Sequence, residues 1–236
     1  MPPNALDVLH EDNHLLALNK PAGVPSAHFD GDTETLDLHA KAYLKEKYAK
    51  PGNVFLGVVH RLDKTVSGCI VYARTTKAAA RLSEQFREHT VRKVYWAVVN
   101  DGFVNTSDAG TLEDHLLHDD LDMRVNVVHK NANGAKYAKL AYRVLARERN
   151  LILVELVPET GRKHQLRVQL ASRGSPIFGD TKYGSDARFG IGIALHARTL
   201  GFRHPTNGEA IALKATLPAR WYGAFGKLLA DAEAKA

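Results

Sequence analysis

Residues 54–73 read VFLGVVHRLDKTVSGCIVYA, and the order of residue types in this stretch decides the fold class. Val54–Val59 is a short apolar, β-branched run, and Cys69–Ala73 is a second. Runs of this length and composition fit buried strands. His60 to Ser67 between them is polar, so Asp63 is expected on a loop held by rigid elements, a common setting for functional groups. Asp, Ser and Gly are also turn formers, so an Asx turn explains the same loop without any chemistry.

Upstream, residues 6–19 read as two short strands around Asp12-Asn13, followed by a loop from Pro21 to Gly31. Leu36, Ala40, Tyr43, Leu44 and Tyr48 recur at helical spacing, so a helix is predicted from about Thr35 to Ala49, ended by Pro51-Gly52. Downstream, Thr75 or Thr76 caps a helix through about Glu88, and Val94–Val99 is a strand. Residues 103–148 read as several strands with turns at Ser107-Asp108 and Asn131–Gly134, and Leu151–Val157 as another. Gly161 is expected to open a helix through Ser172, ended by Gly174. Strands near 194–203 and 209–216 precede a helix started by Pro218. The predicted class is α+β, with a large mixed, mainly antiparallel sheet flanked by helices. A single domain over 1–236 is expected, with a tail from about 230 that frays.

The 236 residues include 32 Lys plus Arg against 26 Asp plus Glu, a net charge of +6, which suits a polyanionic partner and equally a plain basic protein. Cys69 is the only cysteine, so an intrachain disulfide and a cysteine metal cluster are excluded, and a reducing compartment is expected. The first residues, MPPNALDVLHEDNH, lack a basic stretch followed by an apolar run, and no apolar segment approaches the ~20 residues that cross a bilayer. A cytoplasmic protein without membrane contact is expected, as a monomer.

Two further stretches carry candidate chemistry. Thr160–Arg167 reads TGRKHQLR, and from Gly161 to Ser175 there are four basic residues and no acidic one. On a helix His164 and Arg167 would share a face, and the helix N-terminus would add positive potential, so this is either a phosphate-binding face or a solvated basic one. Arg92–Val99 reads RKVYWAVV, with Tyr95 and Trp96 on opposite faces of the strand. They are either a core pair or an aromatic at a cleft. His10-Glu11-Asp12-Asn13-His14 fits the zinc motif H-E-x-x-H, which works only on a helix, and Asp12-Asn13 argues for a turn. His115 and His118 lack a placed third ligand, so no metal is expected.

Taken in order, HRLDKTVSG (60–68), KVYWAVV (93–99) and TGRKHQLRVQLASRGSPIFGDTKYG (160–184) resemble the RluA-type RNA pseudouridine synthases. NKPAGVPS (19–26) and LHARTLGFRHP (195–205) extend the resemblance to roughly residues 15–218. It implies a pseudouridine synthase-like catalytic domain that isomerises uridine in ribosomal or transfer RNA. It implies Asp63 as the essential carboxylate, Tyr95 as the active-site aromatic, and Arg167 as the basic partner of Asp63. Arg61 is implied near the displaced nucleotide, with His60, Arg162, His164 and Gln165 as further substrate-binding residues. Many relatives carry an N-terminal RNA-binding domain, and this chain is expected to lack one. Two positions depart from the pattern: Val66 stands where Thr is usual, and Gln169 where His is frequent.

The residue types suit the reaction. It breaks a carbon–nitrogen glycosidic bond, turns the uracil and rejoins it through carbon, with no net oxidation and hence no redox cofactor. An ionised carboxylate can attack the sugar, attack the ring or support a glycal route. Arg stays charged and binds carboxylates bidentately, opposing the neutralising effect of burial. Tyr offers a stacking face and a proton-transfer hydroxyl. A non-catalytic RNA-binding module would not need all three groups, and a nuclease would shorten the RNA.

Overall fold

The computed structural model describes residues 6–28, 34–102 and 107–234. In chain order the elements are β1 (Val8–Glu11), β2 (Leu15–Lys20), α1 (Leu36–Lys47), β3 (Gly57–Val58), β4 (Ser67–Ala73), α2 (Thr76–Arg87) and β5 (Arg92–Asn100). There follow β6 (Ala109–Asp119), β7 (Arg124–Val128), β8 (Lys136–Glu148), β9 (Leu151–Pro158), α3 (Gln165–Ala171), β10 (Leu195–Arg203), β11 (Ala210–Lys214) and α4 (Ala219–Glu233). The α+β class is as expected from the sequence, with extensive antiparallel pairing and flanking helices. No helix among the described residues is long and apolar enough to cross a membrane. The chain forms two compact units: Met1–Lys93 with Ala197–Leu217, and Val94–His196 with Pro218–Ala236.

In the first unit the strands run β1-β2-β4-β10, with β3 beside β4 and β11 beside β10. Asp12 makes the β1–β2 turn: its Oδ1 accepts from the backbone N–H of His14 (2.6 Å) and Leu15 (2.8 Å). This is the Asx geometry that short polar side chains favour, and it places His10 and His14 on a hairpin, without the helical spacing a zinc motif needs. Thr75 caps α2, its Oγ1 accepting from Ala78 N–H at 3.2 Å. Leu15, Ala17, Val71, Ala78, Leu82, Phe202 and Leu213 form the core beneath that helix. β4 is buried along its whole length. At its start Gly68 has φ +116, and a methyl group there would overlap the Ala197 backbone. Gly68→Ala is therefore expected to cost about 3 kcal/mol, from overpacking and backbone strain together, measured as a fall in urea midpoint. An unchanged midpoint would contradict the close approach.

The predicted strand over 54–59 is only Gly57–Val58, paired with Ala73 and Tyr72. The ladder stops because the next β4 donor is taken by a side chain: Val71 N–H donates to His60 Nε2 at 3.0 Å.

In the second unit the strands run β5-β9-β8-β6-β7. Leu116, Val125, Ala138 and Val168 form a core cluster between sheet and α3. Trp221 and Phe225 of α4 pack edge-on, with Phe225 also against Phe178 and Phe189. α4 continues through Glu233, and Ala232 is buried. Residues 235–236 lie outside the described residues, as do 29–31 of the predicted loop and 103–106 of the predicted strand region. The helix predicted over 161–172 is shorter, Gln165–Ala171.

Candidate active site

Asp63, Arg61 and His60 lie in the first unit; Tyr95, Arg162, His164, Gln165 and Arg167 lie in the second. Each group is built by different means.

Asp63 sits half-buried on the loop between β3 and β4. The residues on both sides of it are pinned through the backbone. Leu62 N–H donates to Ser26 Oγ (3.0 Å), and Ser26 Oγ–H donates back to Leu62 C=O (2.7 Å). Ser26 is itself held, its carbonyl accepting from Tyr72 O–H at 2.6 Å. On the other side Lys64 C=O accepts from Gly23 N–H (2.7 Å) and from the Lys20 ammonium (3.3 Å). Asp63 C=O closes a turn by accepting from Val66 N–H at 3.0 Å. The backbone that carries the carboxylate is therefore fixed by contacts on both flanks.

Lys20 is fully buried, at 0% exposure. Its ammonium also donates to the carbonyls of Pro21 (2.9 Å) and Val24 (2.8 Å). Burial pushes its pKa down to about 7, and the charge of Asp63 opposes that shift. Arg61 is exposed beside Asp63. His60 is half-buried; its ring stacks on Phe86 with centroids 4.5 Å apart. Burial, then the neighbouring Lys93 charge, lower its pKa to about 3, so the ring is neutral and its Nε2 is an acceptor for Val71. Val66, where the family pattern has Thr, is 3% exposed, an apolar setting that leaves no need for a hydroxyl.

In the second unit, His164 is the residue before α3 and has left-handed backbone, φ 53. It therefore does not share a helical face with Arg167, contrary to the spacing-based expectation. Tyr183 joins the two instead. His164 Nδ1 shares a 2.8 Å hydrogen bond with Tyr183 O–H, and the Arg167 guanidinium lies over the Tyr183 ring, 4.9 Å from its centre. Val125 N–H donates to the same phenol oxygen at 3.0 Å. Arg167 is 6% exposed and forms a bidentate pair with Asp180, which is 1% exposed. Nε donates to Oδ2 at 2.6 Å and Nη2 to Oδ1 at 2.8 Å.

The basic stretch is thus neither a uniform phosphate-binding face nor a solvated one. Arg167 pairs with Asp180, and Arg173 pairs bidentately with Asp114 at 2.9 and 3.0 Å. Arg162 is exposed, its Nε donating to Tyr137 C=O at 3.0 Å. The Gln165 amide fixes the approach to α3: Oε1 accepts from Thr160 O–H (2.8 Å) and Arg162 N–H (3.0 Å), and Nε2 donates to Lys139 C=O (3.0 Å). This closed network explains why the helix begins at Gln165. Gln169, the second departure from the family pattern, donates to Asp114 Oδ2 at 2.7 Å and so shares that carboxylate with Arg173.

Tyr95 lies on β5 opposite Leu156, and both Tyr95 and Trp96 are half-buried. Neither is a fully enclosed core aromatic. Reading from sequence missed Lys20, Ser26, Asp180 and Tyr183. Lys20 has one signal, a period-two relation to Leu16 and Leu18 at the end of an apolar strand. Asp180 and Tyr183 lie in the quoted FGDTKYG stretch, where nothing local marks their partners.

The Asp63 carboxylate thus stands on a clamped loop of the first unit, and in the second the Arg167 guanidinium is buried and fixed beside a tyrosine. The RNA pseudouridylate synthase family matches residues 14–172, and the chain belongs to it. It is an RNA pseudouridine synthase. It is 34% identical over 224 residues to ribosomal large subunit pseudouridine synthase D of Zymomonas mobilis, covering 90% of this chain and 69% of that one. It is 32% identical over 238 residues to tRNA pseudouridine synthase C of Yersinia pestis, covering 92% and 89%. The solved structure of human RNA Pseudouridylate Synthase Domain Containing 4 matches with a TM-score of 0.77 at 28% identity, covering 98% of this chain and 95% of that one.

Proposed function

We propose that this enzyme isomerises specific uridines in folded ribosomal or transfer RNA, with Asp63, Tyr95 and Arg167 acting on one extruded base. The observation that carries the reading is the immobilised Asp63 loop, held through Leu62 and Lys64 on its two flanks. A carboxylate needs that restraint when it must meet a reacting centre in one geometry. The substrate class follows the relatives, one named for the large ribosomal subunit and one for transfer RNA.

The target base leaves its stack, at a cost of a few kcal/mol (roughly). Arg61 and Arg162, both exposed, hold phosphates during extrusion. His60, His164 and Gln165 shape the walls against the RNA, each through the framework contacts described above. Asp63 acts as the carboxylate that meets positive charge developing at the anomeric carbon as the C1′–N1 bond breaks. The uracil turns, C5 bonds to C1′, and the C5 proton is lost while N1 gains one, so composition is unchanged. Tyr95 stacks on the ring and assists the proton transfer. Arg167 favours the anionic form of Asp63.

Tyr95→Phe is expected to lower kcat by about 10²-fold or more, the usual scale for a lost proton-transfer group, with the fold retained by circular dichroism. Unchanged turnover would remove the hydroxyl from the chemistry. The reaction itself is tested by mass mapping of pseudouridine in ribosomal and transfer RNA from cells with and without the protein. Loss of modification at defined uridines is expected; identical maps, or shortened RNA with the purified enzyme, would overturn the assignment.

A further inference from the structure

In the first unit, α1 carries a groove that the proposed chemistry does not use. Ala49, just past the helix, has left-handed backbone, φ 46, and Lys50 N–H donates back to Lys45 C=O at 3.0 Å. The chain therefore turns back along the outside of the helix. A groove of about 400 Å³ lies between the two, lined by Lys41, Ala42, Lys45, Gly52, Asn53 and Val54. A methyl group at Gly52 would meet nothing within 4 Å, so that side is open.

The groove is basic and flanked by rings. Residues 38–54 contain four lysines and one carboxylate, Glu46, which stands about 100° round the helix from Lys45. Lys41 pairs with Asp37 at 3.2 Å and Lys47 with Glu11 at 2.8 Å, whereas Lys45 and Lys50 are exposed. Tyr48 is 45% exposed and Phe55 47%. Tyr48 is held in place, its O–H donating to Glu11 Oε1 at 2.6 Å and its ring 4.7 Å from the Arg74 guanidinium. The Phe55 ring rests beside Gly57. Exposed rings beside ammonium groups are the composition that holds single-stranded nucleic acid, rings under bases and cations on phosphates. A protein partner would have to bring carboxylates to the lysines and apolar groups to the rings, whereas an RNA strand carries a charge and a flat base in every nucleotide.

The groove also begins beside the Asp63 clamp. Leu36 N–H, at the start of α1, donates to Pro25 C=O at 2.9 Å, and Pro25 adjoins Ser26, which holds Leu62. From Leu36 the helix carries Lys41 and Lys45 ~8 and ~14 Å further along its axis, a distance that a few nucleotides span. We propose that this groove is a docking track for single-stranded RNA flanking the target uridine, with Lys45 and Lys50 on phosphates and Tyr48 and Phe55 against bases. The proposal rests on the reading of Asp63 as the residue that meets the target base.

The test is anisotropy binding of a labelled oligouridylate of about ten nucleotides, within the site size such grooves cover, over a range of salt. The proteins are wild type, the double variant Lys45→Ala, Lys50→Ala, and the single variants Phe55→Ala and Asp63→Asn. The double variant is expected to raise Kd about tenfold and to flatten the slope of log affinity against log salt by roughly 1.4, two phosphates at ~0.7 each. Phe55→Ala is expected to raise Kd about tenfold through lost stacking, with the slope unchanged because the ring carries no charge. Asp63→Asn is expected to bind as wild type does. Wild-type affinity and slope in the double lysine variant would overturn the proposal. So would unchanged binding together with a loss of self-association in light scattering, which would give this face to a second copy of the chain. Pseudouridine assays on ribosomal RNA separate the two ideas. Product formed by Asp63→Asn sinks the reading of Asp63, and the salt slopes still judge the groove. An inactive Asp63→Asn beside a double lysine variant of wild-type affinity sinks only the groove.

Discussion

Replacing Asp180 by alanine is expected to remove about 3–5 kcal/mol of folding stability, because it deletes the bidentate carboxylate partner of a buried guanidinium. The pair is bidentate and nearly solvent-free, with 2.6 and 2.8 Å contacts and side-chain exposures of 7% and 1% for Arg167 and Asp180. In a chain of this size the loss translates to a fall in melting temperature on the order of 10 °C. Activity should fall with it, since Tyr183 and His164 are arranged around the same guanidinium. The double variant Arg167→Met, Asp180→Leu separates the two effects. Apolar replacement of a whole buried ion pair is often neutral or stabilising, so melting should return toward wild type while pseudouridine formation remains lost. A single Asp180→Ala variant that melts like wild type would show that Arg167 does not depend on this partner.

The fate of Arg167 also shows where reading the sequence reached and where it stopped. Spacing alone put His164 and Arg167 on one helical face, because residues three apart meet on a helix. The backbone at His164 is left-handed instead, and the two side chains meet through Tyr183, nineteen residues after His164. A contact at that separation leaves no periodic mark. The Asp12-Asn13 turn, by contrast, was legible because an Asx side chain acts on its own neighbours. The α2 cap at Thr75 was legible for the same reason. The strand at 54–59 was overread: its composition is right, but the His60 imidazole takes the hydrogen bond that would have extended the ladder. Lys20 was passed over because a lysine at a strand end reads as solvated, and only its three carbonyl partners show otherwise. The placement of Asp63 on a loop between strands was legible from the two apolar runs that flank it. Its clamping by Ser26 and Lys20 depends on contacts 36 and 44 residues apart in sequence.

The second large effect concerns Asp63 itself. Asparagine is nearly isosteric with aspartate, so the backbone bonds at Leu62, Asp63 and Lys64 persist and the loop keeps its shape. What disappears is the negative charge, and with it any capacity to attack carbon or to stabilise a positive sugar. Removing a group that acts only in the transition state lowers kcat and kcat/KM together and leaves ground-state binding in place. The direct measurement is single-turnover pseudouridine formation by purified Asp63→Asn enzyme on a substrate RNA, with RNA binding measured on the same sample. The expected result is a rate lower by on the order of 10⁴-fold or more, with RNA bound as by the wild type. Product formed at the wild-type rate by the folded variant would contradict the assignment of Asp63 as the reacting carboxylate.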